Sequence, residues 1–362
     1  GAGDRQVGAS ATLWSLGPPS VSTPQHPFLQ PLPLRGGAAL PNRILPGPME
    51  GITAGSFCAV LSRAGYVRCW VTPFLRVTTG VPRPARLRLH LAPYLDSGLP
   101  VVAQIMGLNL DLLCATAARL ADQGAVAIDL NCACPSRTVL ANGGGAARLR
   151  HPEWIAAALR ALRQALPGCG LSIKLRSGFA DPAEMADILP AVASTAPDFV
   201  TLHFRTAAEN YDPVPDGWAR LARARELLPG ILLIGCGDVL SPADALRLHA
   251  QTGVDGVAVA RGLLRQPRLL RDIEDACAGR RPATPTREQA LAVLREMAVT
   301  AAATRSGRPG FVLEVARTML GEADPLFKEL AGCHTLQQAA VCLSTAVGEG
   351  RHDTQSRPQG SA

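Results

Sequence analysis

Aromatic residues make up only 4% of the 362-residue chain, and lysine occurs only at Lys174 and Lys328. A core must therefore be filled by alanine, leucine and valine, which the 47% apolar content supplies. No run reaches the roughly 18 uninterrupted apolar residues of a membrane helix, which excludes that class and makes the cytoplasm the expected compartment. Also missing is a G-x-G-x-x-G after the first strand pattern, which counts against a doubly wound, dinucleotide-binding sheet. Ten cysteines are spaced irregularly, several in apolar segments such as Cys58, Cys69, Cys114, Cys169 and Cys342. That is the usage of buried free thiols, not of a disulfide framework. Cys132-x-Cys134 has no second Cys or His pair at zinc spacing, so no metal is expected.

What the chain does have is alternation. Short apolar runs at Arg43–Pro46, Cys69–Thr72, Val101–Ile105, Ala125–Asp129, Leu171–Leu175, Phe199–His203, Ile231–Gly235 and Gly256–Val259 read as eight strands. Helical patterns lie between them at Ser56–Arg63, Leu110–Gln123, Pro152–Leu166, Pro182–Ser194, Gly217–Leu228 and Pro242–Gln251, with an irregular segment around Val81–Leu99. This α/β series predicts a (β/α)8 TIM barrel over residues 41–279. Arg280 to Pro285 reads as a linker, and residues 284–347 as a small C-terminal helical domain. Residues 1–40, rich in Gly, Pro and Ser, read as a flexible extension without the charged-then-apolar order of a secretory signal. Residues 348–362 read as a flexible tail.

A barrel places its chemistry at the C-terminal ends of its strands. Polar or glycine residues collect at seven such ends: Pro48-Met49-Glu50-Gly51, Gln104, Asn131 to Cys134, Lys174, His203 with Arg205 and Tyr211, Cys236-Gly237-Asp238, and Ala260-Arg261-Gly262. Any one of them has a bland reading as a loop cap, a core histidine or a surface pair; seven together do not. Lys174, in an apolar strand, suits either a Schiff base or a positive charge held against an anionic cofactor ring. The glycine-rich loops after strands seven and eight, where barrels commonly bind phosphate, favour the second use, with Arg261 as a cationic fork. A phosphate there, with Lys174 and Gln104 facing inward, fits FMN. The net charge of +7 permits a polyanionic partner.

The stretch D-L-N-C-A-C-P-S from Asp129 to Ser136, followed by Asn142-Gly143-Gly144-Gly145-Ala146, resembles the catalytic loop of the tRNA-dihydrouridine synthases. Pro48 to Gly51, Gln104, Lys174 with Arg176, His203-x-Arg205-Thr206 and Ala260-Arg261-Gly262 extend the likeness from about Arg43 to Leu270. Pro48 to Gly51, Phe74 to Val77 and Gly143 to Ala146 are most similar to the bacterial C-type branch. The resemblance implies an FMN enzyme that takes electrons from NADPH and reduces a uridine in the D-loop of tRNA, at position 16. It implies FMN held by Pro48, Met49, Glu50, Gln104, Lys174, His203, Cys236, Gly237, Asp238, Ala260 and Arg261. It implies Cys134 as the general acid and Arg76, Asn131, Arg205, Tyr211 and Arg317 as RNA contacts. No membrane and no obligate protein partner are implied, and a monomer is expected.

A thiol is chemically suited to that role, being mostly protonated near neutrality. Three positions depart from the family pattern: Phe204 and Ala260 stand where glycine is common, and Cys236 where asparagine is usual. In Val315-x-Arg317, valine replaces a usual basic residue. Two other readings are a flavin barrel acting on a small molecule and a flavin-poor scaffold that binds tRNA.

Overall fold

The computed structural model describes residues 25–52, 55–304 and 307–353. Its frame is a parallel barrel of eight strands. In chain order these are β3 (Ile44–Pro46), β4 (Trp70–Val71), β6 (Val101–Gly107), β7 (Ala127–Cys132), β8 (Gly170–Arg176), β9 (Phe199–His203), β10 (Leu232–Cys236) and β11 (Gly256–Val259). The order around the sheet is β3-β11-β10-β9-β8-β7-β6-β4, and β3 and β4 pack against each other at the seam. An extra strand, β5 (Leu75–Val77), also pairs with β6.

Helices α1 (Gly55–Arg63), α3 (Leu110–Asp122), α5 (Pro152–Ala165), α6 (Met185–Ala193), α7 (Gly217–Leu227) and α8 (Pro242–Thr252) follow the expected patterns closely. Helix α2 (Pro84–Leu95) occupies the segment expected to be irregular. Its apolar stripe is thin: Leu87, Leu91 and Tyr94 point inward, Leu89 is 78% exposed, and Pro93 lies inside the helix.

The expectation of a flexible extension over residues 1–40 fails for residues 25–40; residues 1–24 lie outside the described residues. A short 3-10 turn at Pro27–Leu29 leads into an antiparallel hairpin, β1 (Leu32–Pro33) and β2 (Ala39–Leu40). Leu32, Leu34 and Leu40 are buried in one cluster with the barrel-lining Cys69, Val102, Ala127 and Phe199. The hairpin plugs the N-terminal end of the barrel, away from the site. Its glycines hid it in the sequence, yet Gly36 (φ +86°) is required: a Cβ there would lie 2.1 Å from the Gly168 carbonyl oxygen. The tail boundary also moves, because the last helix continues to Asp353; residues 354–362 lie outside the described residues.

After β11 come α9 (Arg261–Arg265) and α10 (Leu269–Cys277), then four further helices: α11 (Arg287–Thr304), α12 (Gly310–Leu320), α13 (Pro325–Ala331) and α14 (Leu336–Asp353). Leu294, Met297, Val312, Val315, Leu330 and Leu343 bury their side chains among these helices. Val315 is thus a core residue, which explains the absence of a charge there. The bundle packs on the barrel through α11 against α1 and α12 against α9. Among the described residues no helix is long and apolar enough to cross a membrane.

Candidate active site

Alternate residues of a strand face one side. The inward set changes from apolar to polar towards the C-terminal end of the barrel: Gln104 on β6, Asp129 and Asn131 on β7, Ser172 and Lys174 on β8, His203 on β9. Asp129 is buried and accepts hydrogen bonds from Ser172 Oγ and from Gln104 Nε2, both at 2.7 Å. Burial pushes its carboxyl up to about 6, against those two hydrogen bonds and the charge of Lys174. Asn131 donates from Nδ2 to Gln104 Oε1 at 2.8 Å.

The loop after β7 is built around Asn131. Its Oδ1 accepts from the backbone N–H groups of Ala133 and Cys134, both at 3.0 Å. Ser136 caps the short helix α4 (Arg137–Ala141) by accepting from the Val139 N–H. The glycine run then returns beneath the loop, where the Ala146 N–H donates to the Cys134 carbonyl at 3.0 Å. Gly145 has φ +53°, and a Cβ there would stand 2.7 Å from the Cys134 oxygen. These glycines serve close packing on the cysteine loop. Cys134 borders the central cavity, whereas Cys132 is fully buried in the core, where desolvation pushes its thiol far up.

Arg176, at the end of β8, is buried and joins two loops. It donates to the carbonyls of Ala133 (2.9 Å), Thr206 (2.9 Å) and Asn210 (2.7 Å), and lies over the Tyr211 ring at 5.4 Å. His203 accepts at Nδ1 from the Arg205 N–H. Burial, then the charges of Arg176, Lys174, Arg205 and Arg261, hold its pKa well below the usual histidine range, so its ring is neutral at pH 7.

Arg205 is 3% exposed and grips Asp238 with both terminal nitrogens. Arg261 binds the same carboxylate at 3.0 Å and stacks over Tyr211 at 5.0 Å. Phe204 does not enter the cavity. It lies behind it, where Gly217 and Gly237 leave room: a Cβ on either would come within 2.6 Å or less of the ring. Ala260 is accommodated in the same way, since a Cβ on Gly47 would meet its methyl at 2.8 Å.

A cavity of about 650 Å³ opens over this floor. It brings together Pro48, Met49, Glu50, Gln104, Asn131, Cys134, Lys174, His203, Tyr211, Cys236, Gly237, Asp238, Ala260 and Arg261. Three residues named from the sequence do not line it. Arg76 stands 3.8 Å from Glu50 and is part exposed. Arg205 sits behind Asp238, with Nε donating to the Asp212 carbonyl. Arg317 is bound by Glu314 (2.6 Å) and Glu322 (3.5 Å) on the bundle. The bundle instead contributes Glu314 and Thr318 of α12 to the cavity wall.

The family model for dihydrouridine synthase (Dus) matches residues 44–321, most of the chain and all of the barrel. The chain belongs to the dihydrouridine synthase family. It is therefore an enzyme of an oxidoreductase family. It is 36% identical over 234 residues to the tRNA-dihydrouridine(16) synthase of Vibrio cholerae, covering 63% of this chain and 72% of that one. It is 32% identical over 295 residues to the protein of the same name from Pseudomonas putida, covering 78% and 90%. Among solved structures, the old yellow enzyme from Trypanosoma cruzi superposes with a TM-score of 0.51 at 10% identity, over 72% of this chain and 94% of that one. That likeness is one of fold.

For this dihydrouridine synthase, reading strand ends alone passed over Asp129 and Ser172, which lie one turn of the pleat below the mouth, and the strut made by Arg176. The signal was present as alternation: Asp129-x-Asn131 and Ser172-x-Lys174-x-Arg176 place polar residues two apart inside apolar strands.

Proposed function

We propose that the chain reduces the C5–C6 bond of a uridine in the D-loop of tRNA, at position 16, with FMN as resident cofactor and NADPH as electron donor. The observation that carries this reading is that Cys134 and Lys174 line one cavity, while Cys132 is sealed in the core.

The residues present fit FMN. The cavity volume lies within the roughly 300–1,000 Å³ of cofactor sites. The Lys174 ammonium borders it without a hydrogen-bonded partner among the described residues. Arg261, half exposed at the rim, adds a second positive charge suited to a phosphate. Pro48, Met49, Glu50, Gln104, Lys174, His203, Cys236, Gly237, Asp238, Ala260 and Arg261 would hold the cofactor, and bound FMN supplies the hydride. The neutral His203 ring, accepting at Nδ1, carries its proton on Nε2 and offers a donor without a further charge.

Cys134 supplies the proton at the other carbon. Asn131 and Gly145 fix the backbone that carries its thiol, and Tyr211, 52% exposed at the mouth, offers a face on which a base taken out of the RNA stack can rest. In the eight-strand ring β7 and β11 stand four places apart, so the cysteine and Arg261 face each other across the mouth. The substrate therefore meets its proton donor on the side away from the phosphate site. Arg76 at the rim and Arg317 on the bundle are read as phosphate contacts, and Arg205 as the residue that holds Asp238. The barrel with its bundle acts as a cytoplasmic monomer.

The test separates two half-reactions. Cys134→Ala is expected to leave reduction of the bound flavin by NADPH intact and to slow tRNA reduction by about 10²-fold or more. Cys132→Ala is expected to lose stability, not the proton step. Equal, severe loss of tRNA reduction in a folded Cys132→Ala protein would overturn the assignment.

A further inference from the structure

Beneath the mouth lies a chain of hydrogen bonds with one direction. The Cys134 N–H donates to Asn131 Oδ1 (3.0 Å), Asn131 Nδ2 donates to Gln104 Oε1 (2.8 Å), and Gln104 Nε2 donates to Asp129 Oδ2 (2.7 Å). Gln104 is further pinned through its backbone N–H, which donates to Thr72 Oγ1 at 3.0 Å. An ionised carboxylate only accepts. It therefore compels Gln104 to present its NH2 end downward and its oxygen upward. That oxygen compels Asn131 to present its own NH2, which leaves the Asn131 oxygen facing the cysteine loop. Asp129 is 3% exposed and does not border the cavity, so it acts only through its neighbours.

We infer that Asp129 is a positioning residue for the proton-transfer step: by accepting from Gln104 it fixes the orientation of two amides and, through Asn131, the backbone of Cys134. This rests on the reading of Cys134 given above. The second carboxylate oxygen accepts from Ser172 Oγ at 2.7 Å. A hydroxyl can also accept. The amide of an Asp129→Asn variant can thus keep its oxygen towards Gln104 and turn its NH2 to Ser172, preserving the direction of the chain.

Isosteric variants distinguish this role from simple packing. Asn131→Asp keeps an acceptor for the Cys134 N–H but sets a second oxygen against Gln104 Oε1. Gln104 can escape only by reversing, and reversal sets its oxygen against Asp129. With Asp129→Asn added, the whole chain can reverse. The amide introduced at position 129 donates to Gln104, and Gln104 donates to the carboxylate introduced at position 131. That carboxylate still accepts from the loop. Every hydrogen bond is restored with almost no change in volume.

The experiment is a double-mutant cycle on the FMN-loaded protein, read by thermal unfolding and by the single-turnover rate of tRNA reduction from pre-reduced enzyme. Asp129→Asn is expected to slow turnover less than about 10-fold, because neutral hydrogen bonds replace charge-assisted ones while the direction of the chain is kept. Asn131→Asp is expected to lower the midpoint by roughly 5 °C and to slow turnover by about 10²-fold. The double variant is expected to recover most of both, ending better than Asn131→Asp alone. Losses that simply add would overturn the inference, since a carboxylate serving only local packing gives additivity. The thermal arm needs no RNA. If the wild type reduces no uridine in tRNA, the functional reading fails while the midpoints still decide whether Asp129 sets the amides.

Discussion

Arg205 and Asp238 form a two-pronged ion pair, with Nη1–Oδ1 at 3.1 Å and Nη2–Oδ2 at 2.7 Å, and the aspartate that makes it has φ +50°. A non-glycine residue seldom adopts that backbone, so the pair holds a strained turn in place. Arg205 is walled in, whereas Asp238 is 42% exposed and reaches the cavity. Removing the acid strands a buried guanidinium. Asp238→Ala is expected to cost about 3 kcal/mol or more in denaturant unfolding. Arg261→Ala, at a half-exposed pair, is expected to cost under about 1 kcal/mol while weakening FMN binding. Equal costs would show that Arg205 does not depend on the pair.

Lys174→Ala removes the ammonium that borders the cavity between Asp129 and the space assigned to the flavin. The variant is expected to purify with less flavin and to be reduced by NADPH at least about 10-fold more slowly. Its Asp129 carboxyl, no longer facing that charge, should titrate higher still. Unchanged flavin content and reduction rate would remove the lysine from the cofactor site.

Glu209 lies in the loop between His203 and Tyr211. It accepts from both terminal nitrogens of Arg220 and from the Thr206 N–H, and the Arg220 hydrogen bonds are the main cause that lowers its carboxyl to about 2. A depressed carboxyl stabilises the fold above the ordinary glutamate range and loses that contribution as pH falls towards 2. Glu209→Gln is expected to lower unfolding stability at pH 7 by about 1–2 kcal/mol, after allowance for its partial exposure. The gap should narrow steadily below about pH 4.5. A gap independent of pH between 7 and 3 would show that the charge is not what matters.

The arginines of the bundle are not equivalent as phosphate contacts. Arg287 is paired with Asp324, Arg295 with Glu296, and Arg317 with two glutamates, whereas Arg308 is exposed without an ion pair among the described residues. Arg308→Ala is expected to weaken tRNA binding and to reduce the salt slope by about one. Glu314→Ala, which leaves Arg317 only its longer contact with Glu322 and removes a negative charge from the cavity wall, is expected to tighten it. Filter binding across a salt series checks both; opposite signs would place the RNA elsewhere.

The strands Phe199–His203 and Gly256–Val259 were legible to the residue, because each is a short apolar run closed by polar or glycine residues. Helix α2 was not: three inward residues among arginines, with a proline inside, carry little period. Neither was the plugging hairpin, whose strands are two residues each and owe their burial to the barrel they close. At the site, Cys134 and Lys174 stood out by chemistry. Asp129 and Arg176 matter through partners distant in sequence, Gln104 and Asn210, and a strand pattern does not reveal which neighbour a side chain will meet. Arg205 reads as a free cation in sequence because the acid that holds it, Asp238, lies 33 residues away and is assigned only by the fold, whereas the pairing of Arg317 with Glu314 was legible as an i,i+3 spacing on one helix.

The ring of Phe204 fills a slot between Gly217 and Gly237, and this restricts how the chain can change. Placing a methyl at Gly237, which has φ +126°, drives it to 2.4 Å from the ring edge. The three positions form a ratchet. While the phenylalanine stands, both glycines are locked. Once it shrinks, Gly217 is released, but Gly237 stays bound by its backbone. A lineage in which position 204 returns to glycine is free to vary at 217 first. Where the phenylalanine persists, a library randomised at 217 should return glycine almost alone, and the same library in a Phe204→Gly background should return small side chains as well.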